Sequence, residues 1–185
     1  LIRHLKRLVM FCFINYYANK QILREYFFKN FLKARHHQTS GSEIHYWLKL
    51  FGGKELVNPV LQDMGLYGLN VLPRFSFQYK NTRLPEHIDI DRIVGININL
   101  IDDWMPTIRI NGCSYAYECA LIDVGSKIHS VEPEPRDRLV LKLAFREPWD
   151  KIYGILRQRN LITYGHECDY YQSILLEEDK QFVKI

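Results

Sequence analysis

The chain has 185 residues, 47% of them hydrophobic and 14% aromatic, which supplies one core and argues against wholesale disorder. The formal net charge of +4 is unevenly placed: the first 38 residues carry eight Lys and Arg against Glu25 alone, so the remainder is slightly acidic. Four cysteines without a C-x-x-C pair read as reduced, buried side chains of a reducing compartment.

From Leu5 to Ala34 apolar residues recur at helical spacing with no Pro or Gly between them. The pattern predicts one long helix, or two with a bend near Ala18–Lys20. "LVMFCFINYYA", Leu8 to Ala18, has about half the roughly 20 apolar residues a membrane helix needs. Its basic lead-in resembles a signal sequence, but no small-residue cleavage site follows. Gly41 breaks the pattern, and Ser42 can cap a second helix, "EIHYWLKLF". "ELVNPVLQDMGLYGLNVLPRF" contains Pro59, Gly65, Gly68 and Pro73 and reads as a connector.

Beyond Arg74 the period changes to that of strands: "RIVGININL", "PTIRIN", "SYAYECALID", "RLVLKLAF", "KIYGILRQ" and "HECDYY". "NG" at Asn111–Gly112 is a strong hairpin signal. Asp102–Asp103 and "EPEP" at Glu132–Pro135 separate other strands, and "SILLEEDKQFVKI" closes the chain as a short helix. Six short strands without intervening helices indicate an antiparallel barrel or sandwich.

Chemistry is sparse in this reading. His36 and His37 are adjacent, and helical neighbours point about 100° apart, so they seldom share an ion. With His45 they read as polar surface. Asp102–Asp103 and Glu177–Asp179 fall at turns or helix starts, where carboxylates are ordinary. No nucleophile elbow, phosphate-binding glycine loop or zinc-protease motif occurs. The expectation is therefore a protein that is not an enzyme and holds no metal.

Two stretches carry a family resemblance. "CALIDVGSKI" sits where a strand would run into D-x-S-x-x-G, and "YGILRQRNLITYGHECDYYQSILLEEDKQFVKI" looks like a last hairpin, a YG-x-E strand and an acidic helix. Both resemble the PilZ domain family over about residues 92–185. The resemblance implies a six-stranded antiparallel barrel followed by a short helix. Members that bind cyclic diguanylate (cyclic-di-GMP) use R-x-x-x-R ahead of the first strand, because guanidinium forks clamp phosphates and guanine edges. Here Arg92 fits the second Arg and Ile88 stands at the first, with Arg83 and Arg74 upstream out of spacing. Asp123 fits the carboxylate of the other motif, Gly125 and Ile128 replace its Ser and Gly, and Ser126 fits only with a one-residue slip. The ligand residues so implied are Arg92, Asp123, Ser126 and Arg83.

The resulting expectation is an α+β chain: a helical docking or oligomerisation region over 1–73, then a PilZ-like barrel over 74–185. Its function would be that of a non-enzymatic regulatory adaptor working by protein contact, with weak or no cyclic-di-GMP binding and no resident cofactor. Partner contact or self-association would use Phe27, Phe31 and Arg24 on the N-terminal helix. The resemblance implies a bacterial cytoplasmic setting, at most peripheral to the inner membrane, near motility, pilus or exopolysaccharide machinery. Two alternatives stay open: a genuine cyclic-di-GMP receptor, and a structural subunit of a ribonucleoprotein or membrane complex anchored by the basic helix. No DNA partner is expected; RNA or an anionic membrane surface would meet that helix first.

Overall fold

The computed structural model describes residues 11–36, 47–89 and 92–162. Three strands come from the N-terminal part: β1 (Phe11–Phe13), β2 (Arg35–His36) and β3 (Trp47–Phe51). Eight follow: β4 (Val71–Gln78), β5 (Leu84–His87), β6 (Val94–Asn99), β7 (Thr107–Ile110), β8 (Cys113–Ala116), β9 (Cys119–Ile122), β10 (His129–Val131) and β11 (Arg138–Phe145). The helices of the described residues are α1 (Lys20–Lys29), α2 (Lys54–Asp63) and α3 (Trp149–Gln158).

The pairing is nested. β7 pairs with β8, β6 with β9, β5 with β10 and β4 with β11, all antiparallel. This is one long hairpin whose tip is Asn111–Gly112, with φ of 46° and 87° there, the positive pair that a type I′ turn demands. The expected hairpin is therefore present at the centre of the fold. The rolled hairpin splits into two sheets, ordered β1-β9-β6-β11-β4-β3-β2 and β5-β10-β7-β8, which is a jelly roll.

Strand alternation gives the large sheet two unlike faces. Leu48, Leu50, Phe75, Phe77, Ile96, Ile98, Leu139, Leu141 and Leu143 share one core with Leu23 and Phe27 of α1, Val57, Val60 and Leu61 of α2, and Ile152 and Leu156 of α3. The opposite face is also buried, yet it is polar: Arg74, Ser76, Gln78, Asn97, Asn99 and Arg138 lie there. A polar buried face is costly unless something pairs with it.

Several expectations are corrected here. The described residues form two antiparallel sheets rather than a closed six-stranded barrel behind N-terminal helices. Phe11–Phe13 is a strand because its side chains serve both faces: Phe11 packs with Ile108, Ile110 and Tyr117, and Cys12 joins the helix-side core. Trp47–Phe51 is likewise a strand, with Leu48 and Leu50 in the core while Trp47 and Lys49 face the other way. Short apolar runs of this kind fit either period. "KIYGILRQ" is helical, burying Ile152 and Leu156 one turn apart. "ELVNPVLQD" is a helix despite Pro59, because Val57, Val60 and Leu61 are buried along one side. "HECDYY" and the terminal "SILLEEDKQFVKI" lie outside the described residues, as do His37 and His45.

Candidate metal centre

The mouth of the roll between the sheets is where β5 and β10 run side by side. Their register places His129 directly across from His87. Cross-strand neighbours stand about 5 Å apart at Cβ, and the two imidazole rings are 4.2 Å apart at their centroids. Asp89 is two residues beyond His87 and so lies on the same side of the extended chain. The result is a compact group: ligand atoms of His87, Asp89 and His129 all fall within 4.8 Å of one another.

Second contacts orient each member. The Nδ1 of His87 lies 2.8 Å from the Pro85 carbonyl, and that of His129 lies 3.0 Å from the Lys127 carbonyl. A carbonyl only accepts, so each Nδ1 carries a proton, which leaves Nε2 of each ring as the atom available to a metal. Asp89 Oδ1 sits 3.6 Å from His87 Nε2, while Oδ2 takes the Arg92 guanidinium at 3.4 Å. Burial pushes the His129 imidazole down to about 4, and the neighbouring His87 adds to the shift. His129 is thus neutral at physiological pH.

The cavity holding the group is narrow, with about 30 Å³ free. Leu84 wall it from the small sheet's side, and Trp47, Leu84 and Val131 form an apolar cluster beside it. The large sheet contributes Lys49, Arg74, Ser76, Asn97 and Lys142. Burial lowers the Lys142 amine to about 7, with Arg138 the next cause, and lowers Lys49 to about 8. Trp47 Nε1, Arg74 Nε and Ser76 Oγ are buried without a hydrogen-bond partner. Further along β11, Arg138 is 2% exposed; it donates to the Thr107 carbonyl at 2.7 Å and to the Tyr117 hydroxyl. Asn97 also donates to that hydroxyl, at 3.3 Å. A larger groove, about 510 Å³, is lined by Phe13, Tyr17, Met105 and Glu118, but Glu118 is already paired with Lys20 at 2.6 Å.

The donor set fits a metal. Two imidazoles and one carboxylate, open on a cavity side, are the ligands of non-haem iron oxygenases. The orphaned polar atoms of the cavity wall fit a bound polar molecule beside such an ion.

No protein-family model and no curated protein sequence matches the chain. Solved structures do. A prolyl-4-hydroxylase from Pseudomonas putida is 16% identical, with 69% of this chain and 85% of that one covered at a TM-score of 0.53. A prolyl hydroxylase from Trichoplax adhaerens, solved with a hypoxia inducible factor oxygen degradation domain peptide, is 13% identical over 80% and 88%, at 0.60. The non-heme α-ketoglutarate dependent epimerase SnoN of nogalamycin biosynthesis is 9% identical over 78% and 83%, at 0.50. At these identities the likeness shows the fold.

That fold overturns the PilZ resemblance. The adaptor function, the cyclic-di-GMP receptor and the bacterial signalling context drawn from it fall as well. The expectation of a non-enzyme without a cofactor is corrected too, since these neighbours are enzymes by description and the chain assembles a His-Asp-His group.

The residues singled out in the sequence have these places. Arg92 lines the cavity and pairs with Asp89. Asp123 and Ser126 bond to each other: Ser126 N donates to Oδ1 at 3.1 Å and Ser126 Oγ to Oδ2 at 2.5 Å. Their turn joins β9 to β10 and braces the loop that carries Asp89, since Asp89 N donates to Val124 O at 3.0 Å and Gly125 N to Ile93 O at 3.2 Å. Arg83 is exposed ahead of β5. Phe27 is fully buried against Phe75 and Phe77, with Phe31 edge-on to Phe77. Arg24 is paired with Asp102 and bonded to the Leu100 carbonyl. Among the described residues no helix is long and apolar enough to cross a membrane. His87, Asp89 and His129 were missed; the available signal was H-x-D at the end of a short strand.

Proposed function

We propose that the protein is a non-haem iron oxygenase that uses 2-oxoglutarate as co-substrate. The observation that carries this is the His87–Asp89–His129 group, with both Nε2 atoms turned inward by carbonyl contacts at Nδ1. The hydroxylase and epimerase folds among its structural neighbours support it, and they favour iron over zinc, which accepts similar ligands.

His87, Asp89 and His129 would hold the iron. Arg92 fixes Asp89 by its outer oxygen and leaves the inner one toward the imidazoles. Arg138, with the Tyr117 hydroxyl beside it, would hold the remote carboxylate of 2-oxoglutarate, because a buried guanidinium and a phenol are paired donors for a carboxylate. Trp47, Leu84 and Val131 keep water from one side of the site. Once bound, the iron and oxo acid would supply oxidative decarboxylation, in which dioxygen converts 2-oxoglutarate to succinate and carbon dioxide and its second oxygen atom oxidises an unactivated C–H bond of the substrate; the chain's own part is positioning.

The test is calorimetric titration with Mn(II), then with 2-oxoglutarate. Mn(II) should bind at one site and be lost in His129→Ala, and 2-oxoglutarate should bind only after the metal and be lost in Arg138→Gln. A protein that takes up no divalent metal, or takes it up equally well as His129→Ala, refutes the proposal.

A further inference from the structure

Four cations line the cavity, Lys49, Arg74, Arg92 and Lys142, against one carboxylate, Asp89. Arg92 is paired with that carboxylate. Lys49, Arg74 and Lys142 make no ion pair with the described residues; Lys142 lies 5.7 Å from the Trp47 ring centre. Arg74 is only 4% exposed and its Nε has no partner.

The register makes the cost plain. Arg74 of β4 stands directly opposite Lys142 of β11, and Lys49 of β3 stands opposite Ser76, one step along the same face. Like charges directly across an antiparallel pair repel, and here both are drawn inside. Ser76 Oγ and Trp47 Nε1 are further polar groups in the same wall with nothing to bond. Arg74 is almost fully buried and Lys49 and Lys142 are half-buried, so the three are drawn in between the two sheets rather than spread over an open basic face. Removing the charges would relieve the fold, so a ligand that neutralises them accounts for their presence.

The co-substrate does not account for them. A 2-oxoglutarate dianion and a divalent ion cancel in charge, and the remote carboxylate has Arg138 and Tyr117. Arg74 and two lysines, which an anion beside them would hold protonated, remain over. We propose that the molecule this site acts on carries an anionic head, a carboxylate or a phosphate, seated on Lys49, Arg74 and Lys142 with Ser76 and Trp47 donating beside them. This rests on the oxygenase reading for the identity of the site, and on the register alone for the anion seat.

The experiment titrates Mn(II)- and 2-oxoglutarate-loaded protein with inorganic phosphate, propionate and, as neutral control, propionamide, by calorimetry. Phosphate or propionate should bind and propionamide should not; the tighter anion identifies the head. Arg74→Gln and Lys49→Gln should each weaken anion binding at least tenfold, with 2-oxoglutarate affinity changed less than threefold. The ligand-free Arg74→Gln protein should also melt higher than wild type, which keeps the variant folded and separates an anion seat from a structural role. If Arg74→Gln weakens 2-oxoglutarate as much as the anion, the cluster belongs to the oxo acid and the proposal falls while the oxygenase reading stands. If wild type and Arg74→Gln take up anion alike, it falls outright. Should the protein take up neither metal nor oxo acid, the oxygenase reading fails by itself. The metal-free phosphate titration still decides the seat: tenfold loss in Arg74→Gln upholds it and equal binding overturns it.

Discussion

Gly125 tests whether the turn after β9 governs the loop that carries Asp89. A Cβ built there would lie 2.4 Å from the Arg92 carbonyl oxygen and 2.9 Å from Ile93 Cα, both backbone atoms that cannot rotate away. Ordinary contact begins near 3.4 Å, so Gly125→Ala forces the two segments about 1 Å apart, an overpacking that costs about 1–3 kcal/mol. The displaced segment follows Asp89, whose own N–H is tied to the same turn through Val124. Disturbing the support of a ligand by that much should weaken metal affinity about 10–100-fold. Mn(II) calorimetry reads the affinity, and urea unfolding reads the stability. Gly112→Ala is the control: nothing lies within 4 Å of its Cβ, but φ is +87°, so it should cost about 1 kcal/mol and leave Mn(II) binding alone. If Gly125→Ala binds Mn(II) as wild type does, the turn is only a connector.

Two further outcomes follow from burial and charge. Phe27→Ala should cost about 3–5 kcal/mol in urea unfolding, because the ring is fully enclosed by Phe75 and Phe77; a loss below 1 kcal/mol would contradict that packing. For Lys142, held near 7 in the folded metal-free protein against 10.5 unfolded, the unfolded chain binds more protons between those values, so stability rises with pH there. Lys142→Met should therefore be more stable than wild type by on the order of 2 kcal/mol at pH 7, with the gap closing toward pH 10.5; a gap that does not change with pH refutes the burial of that charge.

Strands of both sheets were legible in the sequence, since "PTIRIN" contains β7 and "SYAYECALID" holds most of β8 and all of β9. "RIVGININL" and "RLVLKLAF" contain β6 and β11, and "NG" marks the tip of the rolled hairpin. β5 was not legible, because "LPEH" carries Pro85 and lies at the edge of the small sheet, where a proline is tolerated. With β5 unseen, His87 and Asp89 had no strand to place them, and their approach to His129 depends on a pairing far apart in sequence. "VLPRFSFQ" hides the site in another way. Its Arg74, Ser76 and Gln78 alternate with apolar residues as they would on a wetted strand, and sequence does not separate a face toward water from one toward an enclosed cavity.

That ambiguity also shows what the fold must protect. On β4 and β11 the odd and even residues do different jobs: Phe75, Phe77, Leu139, Leu141 and Leu143 join the helix-side core, while Arg74, Ser76, Arg138 and Lys142 face the small sheet. A slip of one residue would exchange the two sets, placing guanidinium groups against α1 and leucines against His87, Asp89 and His129. The eight consecutive pairs from Arg138↔Gln78 to Phe145↔Val71 oppose such a slip. They do so through apolar burial on one side only, because the polar side destabilises the fold until it is occupied. The register between first and last framework strands is therefore held by the core, and the site is positioned as its consequence. Substitutions on the core face of β11 should then disturb ligand binding without touching any residue that binds.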